Sequence, residues 1–397
     1  MTLAGRRVVL GVSGGIACYK SCTIARRLSE AGAAVDVVLT PAAAEFVRPV
    51  TFEALTGRRV LQSLWEPGRA LDHIHLARDA ELVAVAPATA QLLARAAQGM
   101  ADDLLTAILL ARQGPVLAAP AMNDQMFAHP ATQQNLKTLR ARGWTVVGPA
   151  TGALAEGASE LPGRMVEPDE VVTHVERLLR GAGSSLAGKR VVITAGPTRE
   201  PLDPVRVLTN RSSGRMGFAL ASAAFARGAD VALISGPTSL APPLGVGAVW
   251  IETTEELHAA LAKHLKGADV LVMAAAPADF RVGTPATHKR PRSEGPLKLT
   301  LDPTVDVLGS TLKQRPKELV AVGFALETGD GVRRAREKLT AKHLDLIVLN
   351  DAMERDAGFE VDTNRVTLVT TEDEKALPLM SKREVAEKIL DAVEGLM

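Results

Sequence analysis

Two apolar strands in this 397-residue chain run straight into glycine-rich turns: Val8-Val9-Leu10-Gly11-Val12-Ser13-Gly14-Gly15 near the start and Val191-Val192-Ile193-Thr194-Ala195-Gly196-Pro197-Thr198 near the middle. A strand that ends in small residues just before a helix aims bare backbone N–H groups and the positive end of a helix dipole at one point, which suits a phosphate. The chain therefore reads as two phosphate-binding units in tandem. Its length fits two ordinary domains better than one, and 47% hydrophobic residues are ample for two cores.

Apolar runs at residues 7–11, 35–39, 82–86, 116–119 and 145–147 alternate with helical periodicity at 16–31, 89–97, 104–112 and 132–142, and a helix over 168–179 closes the series. Such alternation requires crossover connections and gives a parallel sheet covered on both faces. Gly181-Ala182-Gly183-Ser184-Ser185 follows as a flexible linker. A second series has strands at 190–195, 231–235, 270–274, 319–322 and 346–349, with helices at 214–227, 255–265, 331–341 and 382–393. The expected fold class is α/β, with two Rossmann-like three-layer domains. Residues 284–295 carry Pro, His, Lys and Arg without apolar periodicity and read as a long loop of the kind that serves as a lid.

Forty-six Lys and Arg against 45 Asp and Glu leave a net charge of +1, so neither a nucleic acid nor an anionic membrane surface is expected as partner. Cys18 and Cys22 stand four apart on one helix face, which does not favour a structural disulfide, and a reducing cytoplasm is the expected location. Gly11, Gly14 and Gly15 interrupt the first apolar run, against a signal peptide, and no segment has the apolar length to span a bilayer.

Alone, the Gly11 to Gly15 turn is a weak motif, because many strand-to-helix turns need glycine for backbone reasons. Two further turns rich in small residues follow apolar strands, Ala86-Pro87-Ala88-Thr89-Ala90 and Pro120-Ala121-Met122-Asn123. Turns at the carboxyl ends of parallel strands converge on one crevice. The second strand ends in Leu39-Thr40, where an NAD-binding domain places an acidic residue on the ribose. Flavin mononucleotide, with one phosphate and no adenosine ribose, suits that absence better. His73 and His75 have no cysteine nearby and no ligand spacing, which argues against zinc; surface histidines are the ordinary reading and a catalytic base the other. Met122 and Met126 read as core fillers or as site residues. In the second half a proline-punctuated loop carrying Arg199, Arg206 and Arg211 precedes Ser212-Ser213-Gly214, a helix start that by itself is a plain N-cap. Lys338 and Lys342, four apart, are a solvated face or, with Lys289, a triphosphate clamp.

These residues resemble the bifunctional coenzyme A biosynthesis flavoproteins, in which a phosphopantothenoylcysteine decarboxylase is fused to a phosphopantothenate-cysteine ligase. The resemblance covers nearly the whole chain. Its most specific pieces are Ala195-Gly196-Pro197-Thr198-Arg199-Glu200-Pro201-Leu202-Asp203-Pro204-Val205-Arg206 and Asn210-Arg211-Ser212-Ser213-Gly214-Arg215-Met216-Gly217, with Pro120-Ala121-Met122-Asn123 and Pro162-Gly163-Arg164-Met165 in the flavin half. It implies a flavodoxin-like FMN domain over residues 1–182 and a CTP-dependent ligase domain over 186–397. FMN would rest on Gly11, Ser13, Gly14, Gly15, Thr40, Pro87, Ala88 and Thr89; His73 would be the catalytic base; Asn123, beside Met122, would hold the substrate carboxylate. In that chemistry the flavin oxidises the thiol carbon so that the electrons left by departing CO₂ have an acceptor, and reduction afterwards leaves no net redox change.

For the ligase half the resemblance implies that CTP activates 4'-phosphopantothenate as an acyl-cytidylate before L-cysteine attacks. Asn210 and Arg206 would handle that intermediate, Lys289 would be a lid lysine, and Lys338 and Lys342 would bind the triphosphate. Ala275, Asp279, Val305, Asp306, Val307, Leu308 and Phe324 would complete the nucleotide site, and Mg²⁺ would accompany the triphosphate, on ligands that the sequence does not identify. Homo-oligomers are implied, trimers of the flavin domain and dimers of the ligase domain. Two departures stand out. The lid reads Lys289-Arg290-Pro291-Arg292 where the family often has Lys-Ile-Lys-Lys, and the usual clamp cysteine is absent from residues 154–161. Glu156 is nearest its place, and a carboxyl sequestered against an apolar clamp can donate a proton near neutral pH, as can water. A flavin-binding scaffold and an NAD(P)-dependent dehydrogenase are the competing readings; retained His73 and Asn123 count against the first, and the missing ribose acid against the second.

Overall fold

The computed structural model describes residues 2–397 apart from 156, 158, 290, 292–294, 314, 317, 328–329 and 352–360. Contacts divide the chain into two compact units, Met1–Arg180 and Gly181–Met397. The first unit runs β1 (Arg7–Val12), α1 (Cys18–Glu30), β2 (Ala34–Leu39), α2 (Pro41–Ala44), α3 (Pro49–Thr56), α4 (Asp72–Asp79) and β3 (Leu82–Ala88). It continues with α5 (Ala90–Gln98), α6 (Leu104–Ala111), β4 (Val116–Pro120), α7 (Asp124–Ala128), α8 (Pro130–Ala141), β5 (Thr145–Val146) and α9 (Pro168–Gly181).

Its five strands are all parallel, in the order β2-β1-β3-β4-β5. The pleat sends alternate residues of β1 to opposite faces. Val8, Leu10 and Val12 join Ile24, Phe52 and Val175 in one core, while Val9 joins Leu76, Leu92 and Ile108 in the other. The arrangement is therefore three-layered and flavodoxin-like. The helix expected over residues 16–31 begins at Cys18, because Gly15 accepts the Cys18 N–H in a turn that holds the preceding residues out of the helix. Helix α4, which carries both histidines, was not foreseen: it buries only Leu76 and Ala77, too few apolar positions to show a period.

The second unit begins with β6 (Arg190–Ala195), β7 (Arg199–Pro201), β8 (Val207–Thr209), α10 (Arg215–Ala226), β9 (Asp230–Ser235), β10 (Gly247–Trp250) and α11 (Thr254–His264). Next come β11 (Val270–Met273), β12 (Phe280–Val282), β13 (Leu301–Pro303), α12 (Val307–Leu312), β14 (Val320–Glu327), α13 (Gly331–Ala341) and β15 (Leu346–Asp351). The chain ends with β16 (Thr363–Asn364), β17 (Val366–Val369), β18 (Glu374–Ala376), β19 (Met380–Ser381) and α14 (Lys382–Leu396). The main sheet runs β10-β9-β6-β11-β14-β15-β17-β18; the first six strands are parallel and the last two antiparallel additions. That parallel order is the doubly wound one, reversing between β6 and β11. Helices α10 and α14 cover one face, α11, α12 and α13 the other. Two short antiparallel pairs, β7-β8 and β12-β13, form an arm beside the sheet. In the linker, Ser184 bonds the Glu394 carboxylate and Leu186 is buried in the core of this unit. Among the described residues no helix is long and apolar enough to cross a membrane.

Candidate active sites

In the first unit the sheet reverses direction between β1 and β3, which puts a crevice at their carboxyl ends. Ser13 fastens the two turns there: its hydroxyl donates to the Pro87 carbonyl at 2.7 Å and accepts the Thr89 N–H at 3.0 Å. Thr89 in turn caps α5. A Cβ on Gly14 would stand 2.6 Å from the carbonyl carbon of Ala42, whereas one on Gly15 would meet only Thr89 Cγ2 at 3.6 Å. Gly15 thus faces open space, a cavity of about 560 Å³. That is the size of a small cofactor site.

Gly14, Gly15, Thr89, Met122 and Asn123 line this cavity. Gly11, Ser13, Thr40, Pro87 and Ala88 are buried and do not line it; Thr40 caps α2 by accepting the Ala43 N–H at 3.2 Å. Asn123 Oδ1 accepts the Gln125 and Met126 N–H groups at 2.8 and 3.3 Å, which fixes it at the start of α7. The Met122 N–H donates to Gly163 O at 3.0 Å, so the Pro162 to Met165 segment lies against the Met122-Asn123 turn. Lys20, only 4% exposed, donates to Met165 O at 2.8 Å and pairs with Glu167 at 3.0 Å. Its signal in the sequence was a cation inside the buried stripe of α1. Met126, read as a core filler or a site residue, is 50% exposed and lines the cavity: an apolar side chain beside a site looks in sequence like one inside a core. His73 does not line the cavity. It is half-buried on α4, its Nδ1 enclosed without a hydrogen-bond partner among the described residues, while His75 is exposed. Glu156 lies outside the described residues.

In the second unit buried hydroxyls pin the strand-end turns. Thr194 Oγ1 accepts the Ala275 N–H at 3.0 Å, and Thr198 Oγ1 accepts that of Ala278 at 2.9 Å. Asn210 Nδ2 donates to Ala276 O at 3.3 Å and Pro277 O at 2.9 Å, so both amide protons are spent on the β11 turn. Helix α10 starts after Gly214, which is left-handed at φ +77° and, having no side chain, supplies no cap of its own. A Cβ on Gly217 would come within 2.5 Å of Ala195 Cβ and 2.8 Å of Thr194 O, so the helix packs flush on β6.

These elements enclose a cavity of about 570 Å³ that takes in Asn210, Ala275, Asp279 and Phe324 of the expected set. It also takes in Ser212, Arg215, Asn350, Asn364 and Lys382, of which the last three were missed. Asn364 and Lys382 arrive on β16 and at the start of α14, more than 150 residues after Asn210, and no local pattern joins them. Asn364 is 3% exposed and its Nδ2 donates to Asn350 Oδ1 at 3.0 Å.

Arg206 and Lys289 sit apart from that lining. Both lie near Asp203, whose carboxyl is held below its usual range chiefly by the Val205 N–H, with the Arg206 N–H and the charges of Arg206 and Lys289 adding and burial opposing. Lys338 is exposed on α13, and Lys342 pairs with Asp306 at 3.0 Å. Burial pushes the Asp306 carboxyl up, but the Gly309 N–H, Lys342 and Lys313 outweigh it and the net shift is downward. The Val307 side chain is in the apolar core, Leu308 packs against that core, and Val305 lines a separate cavity of about 400 Å³. Among the described residues no group of three His, Cys, Asp or Glu side chains could hold a metal ion.

The chain matches two family models, Flavoprotein over residues 1–180 and DNA/pantothenate metabolism flavoprotein C-terminal domain over residues 186–396. It is 46% identical over 400 residues to the coenzyme A biosynthesis bifunctional protein CoaBC of Vibrio cholerae, covering 100% of both chains. It is 47% identical over 403 residues to the CoaBC protein of Mycobacterium tuberculosis, covering 98% of this chain and 96% of that one. Its second half is similar to a crystal structure of the C-terminal domain of a CoaBC protein, at 38% identity and a TM-score of 0.46, covering 54% of this chain and 98% of that one. With both halves matched and the full length shared at this identity, the chain belongs to the family of bifunctional coenzyme A biosynthesis flavoproteins, enzymes that join a decarboxylase to a ligase.

Proposed function

We propose that the second unit couples 4'-phosphopantothenate to L-cysteine with CTP through an acyl-cytidylate, and that the first decarboxylates 4'-phosphopantothenoylcysteine to 4'-phosphopantetheine. The observation that carries this reading is the pair of separate cavities at the carboxyl ends of two parallel sheets, each built by the motif that its half of the chain supplies. The decarboxylase domain is assigned to residues 1–182 and the ligase domain to 186–397.

The first cavity fits a flavin mononucleotide: Gly15 leaves room for a ligand, Thr89 offers a hydroxyl at a helix start, and among the described residues no acidic side chain lines the crevice to hold a dinucleotide ribose. FMN supplies a two-electron acceptor and donor when bound. The protein's own part is to hold and exclude. Met122 and Met126 offer apolar surface, Asn123 orients the substrate carboxylate, and the Gly163 to Met165 segment closes over it; His73, on α4 and outside this lining, is the proposed base. Glu156 is the proposed acid for the last protonation. Phe46 and Val50, apolar and exposed near α3, are consistent with self-association of this domain, which we read as trimers. Val205, Val207, Phe280 and Leu301, exposed on the β7-β8 and β12-β13 arm, support dimers of the other. In the ligase, Asn210 and Arg206 handle the acylated nucleotide, Lys289 closes over it, and Mg²⁺ enters with the triphosphate. Lys338 and Lys342, with the Val305 to Leu308 segment, form the rest of the nucleotide site, and the expected setting is the cytoplasm.

Purified protein incubated with L-cysteine, CTP and 4'-phosphopantothenate should give phosphopantetheine, CMP and pyrophosphate by mass spectrometry. Release of FAD or NAD in place of FMN on denaturation, or absence of the cysteine adduct, defeats the reading.

A further inference from the structure

The turn after β11 brings Ala275, Ala276 and Asp279 into the wall of the second cavity, and Asp279 is the one acidic side chain among its described lining residues. Read as Ala274-Ala275-Ala276-Pro277-Ala278-Asp279, the turn has a single polar side chain, so its path is set from outside. Asn210 holds the Ala276 and Pro277 carbonyls, and Thr194 takes the Ala275 N–H. The rest of the hold comes from a row of side chains that do not line the cavity: Thr198 after β6, Glu200 on β7 and Thr254 at the start of α11. All three are no more than 3% exposed. The Ala278 N–H donates to Thr198 Oγ1 at 2.9 Å. Thr254 gives both its N–H and its hydroxyl to Glu200 Oε1, at 2.8 and 2.7 Å, at a helix start that favours an acidic partner. The two threonine oxygens lie 2.9 Å apart, and with the Thr254 proton spent on Glu200 the proton between them belongs to Thr198. The Ala278 carbonyl, 3.4 Å from Thr254 Oγ1, is already taken by the Thr304 hydroxyl at 2.6 Å. The row therefore runs one way, from the Ala278 N–H through Thr198 and Thr254 to Glu200, and bonds aligned head to tail strengthen one another.

We propose that Glu200 is a positioning residue for the ligase reaction: acting through Thr254 and Thr198, it sets the 275–279 turn, and with it the Asn210 amide that bonds that turn, against the nucleotide. This role rests on the ligase reading above. Burying two hydroxyls and a carboxyl costs desolvation at each, and apolar side chains would fill the same space without it. What the row supplies in return is geometry, fixed one residue before Asp279, and a polar network kept at such a place departs from core preference in the way functional positions do. The row needs an acceptor at Glu200 and a hydroxyl at Thr198, so conservative substitutions separate this role from packing. Glu200→Gln keeps an oxygen for Thr254 and Glu200→Met does not; Thr198→Ser keeps the hydroxyl and Thr198→Val does not.

The test is steady-state pyrophosphate release by the full-length protein and these variants, with CTP, 4'-phosphopantothenate and L-cysteine present. A displaced turn should raise KM for CTP about 10- to 100-fold in Thr198→Val and Glu200→Met, while KM for L-cysteine stays within about twofold of the parent. Thr198→Ser and Glu200→Gln should return KM for CTP to within about threefold of the parent. Thr253→Ala is the control for stability: it removes the capping box that Thr253 forms with Glu256 on α11 but no member of the row. It should lower the melting temperature and leave KM for CTP unchanged. An unaltered KM in Thr198→Val and Glu200→Met overturns the proposal, as does failure of either conservative variant to recover, or a Thr253→Ala variant impaired as much as Thr198→Val. If Glu200→Met does not fold, Thr198→Val against Thr198→Ser decides. A parent protein that releases no pyrophosphate defeats the ligase reading itself, so the two failures are told apart.

Discussion

His73 and His75 stand two positions apart on α4; His73 has a ring nitrogen enclosed without a partner among the described residues, while His75 is exposed. Because one ring is enclosed and the other faces solvent, the two residues should respond differently to the same change. His73→Asn should abolish decarboxylation of supplied 4'-phosphopantothenoylcysteine and leave pyrophosphate release by the ligase unchanged, whereas His75→Asn should keep both within about twofold of the parent. Loss of decarboxylation in the His75 variant alone would refute the assignment. Lys382 makes a prediction of the opposite kind, about stability. Its pKa of about 8 in the folded chain lies below the ordinary 10.5, so between these values the unfolded chain binds more protons and the second unit gains stability as pH rises. Below pH 8 the full penalty of the buried charge is present. Without nucleotide, Lys382→Met should therefore melt above the parent at pH 7, and the gap should close by about pH 10.5. Scanning calorimetry at the two pH values reads this directly, and a variant less stable than the parent at pH 7 contradicts it.

At the scale of elements, the ligase cavity depends on how α10 lies on the sheet and against α14. Arg227, 6% exposed at the end of α10, reaches Glu387 at 2.7 Å, Asp391 at 2.6 Å and Glu394 at 2.9 Å on α14. Removing it leaves three carboxylates facing one another around a buried site, so Arg227→Ala should cost about 2–3 kcal/mol in urea unfolding of this unit. Gly217 acts at the other end. A methyl there collides with Ala195 and Thr194 of β6 and must lift the helix, at a cost of about 1–3 kcal/mol. Because Arg215 and Ser212 ride on that helix start, Gly217→Ala should raise KM for CTP at least tenfold while kcat for decarboxylation stays unchanged. An unaltered KM would mean that the first turn of α10 does not meet the nucleotide.

At the scale of the whole molecule, each unit has its own pair of apolar cores on the two faces of its own sheet. A chain so divided does not need both halves to fold. Residues 1–182 produced alone should bind FMN and decarboxylate supplied 4'-phosphopantothenoylcysteine, and residues 186–397 alone should couple cysteine and release pyrophosphate. Flavin absorbance and product mass spectrometry check the pair, and a half that unfolds or is inactive when isolated contradicts the division of labour.

Strand-to-helix alternation and the glycine turns determined the α/β class, the two parallel sheets and the motifs that border each crevice, because a parallel sheet buried on both faces must be written as apolar runs, and a chain turning at a strand end must use small residues. Gly14, Gly15 and Asn123 were legible for that reason, each within a few residues of a strand end, whereas Asn210 and Asp279 came from the family resemblance. Helix α4 left no period because it buries two side chains. Met126 gave no usable sign, since thioether and aliphatic surface lines a cofactor cavity and a core alike. Asn364 and Lys382 were beyond reach for a different reason. They join the ligase cavity only after β16 and β19 pair and set the start of α14 beside the start of α10, and contacts between residues so far apart in the chain are decided by tertiary packing, which no local spacing records.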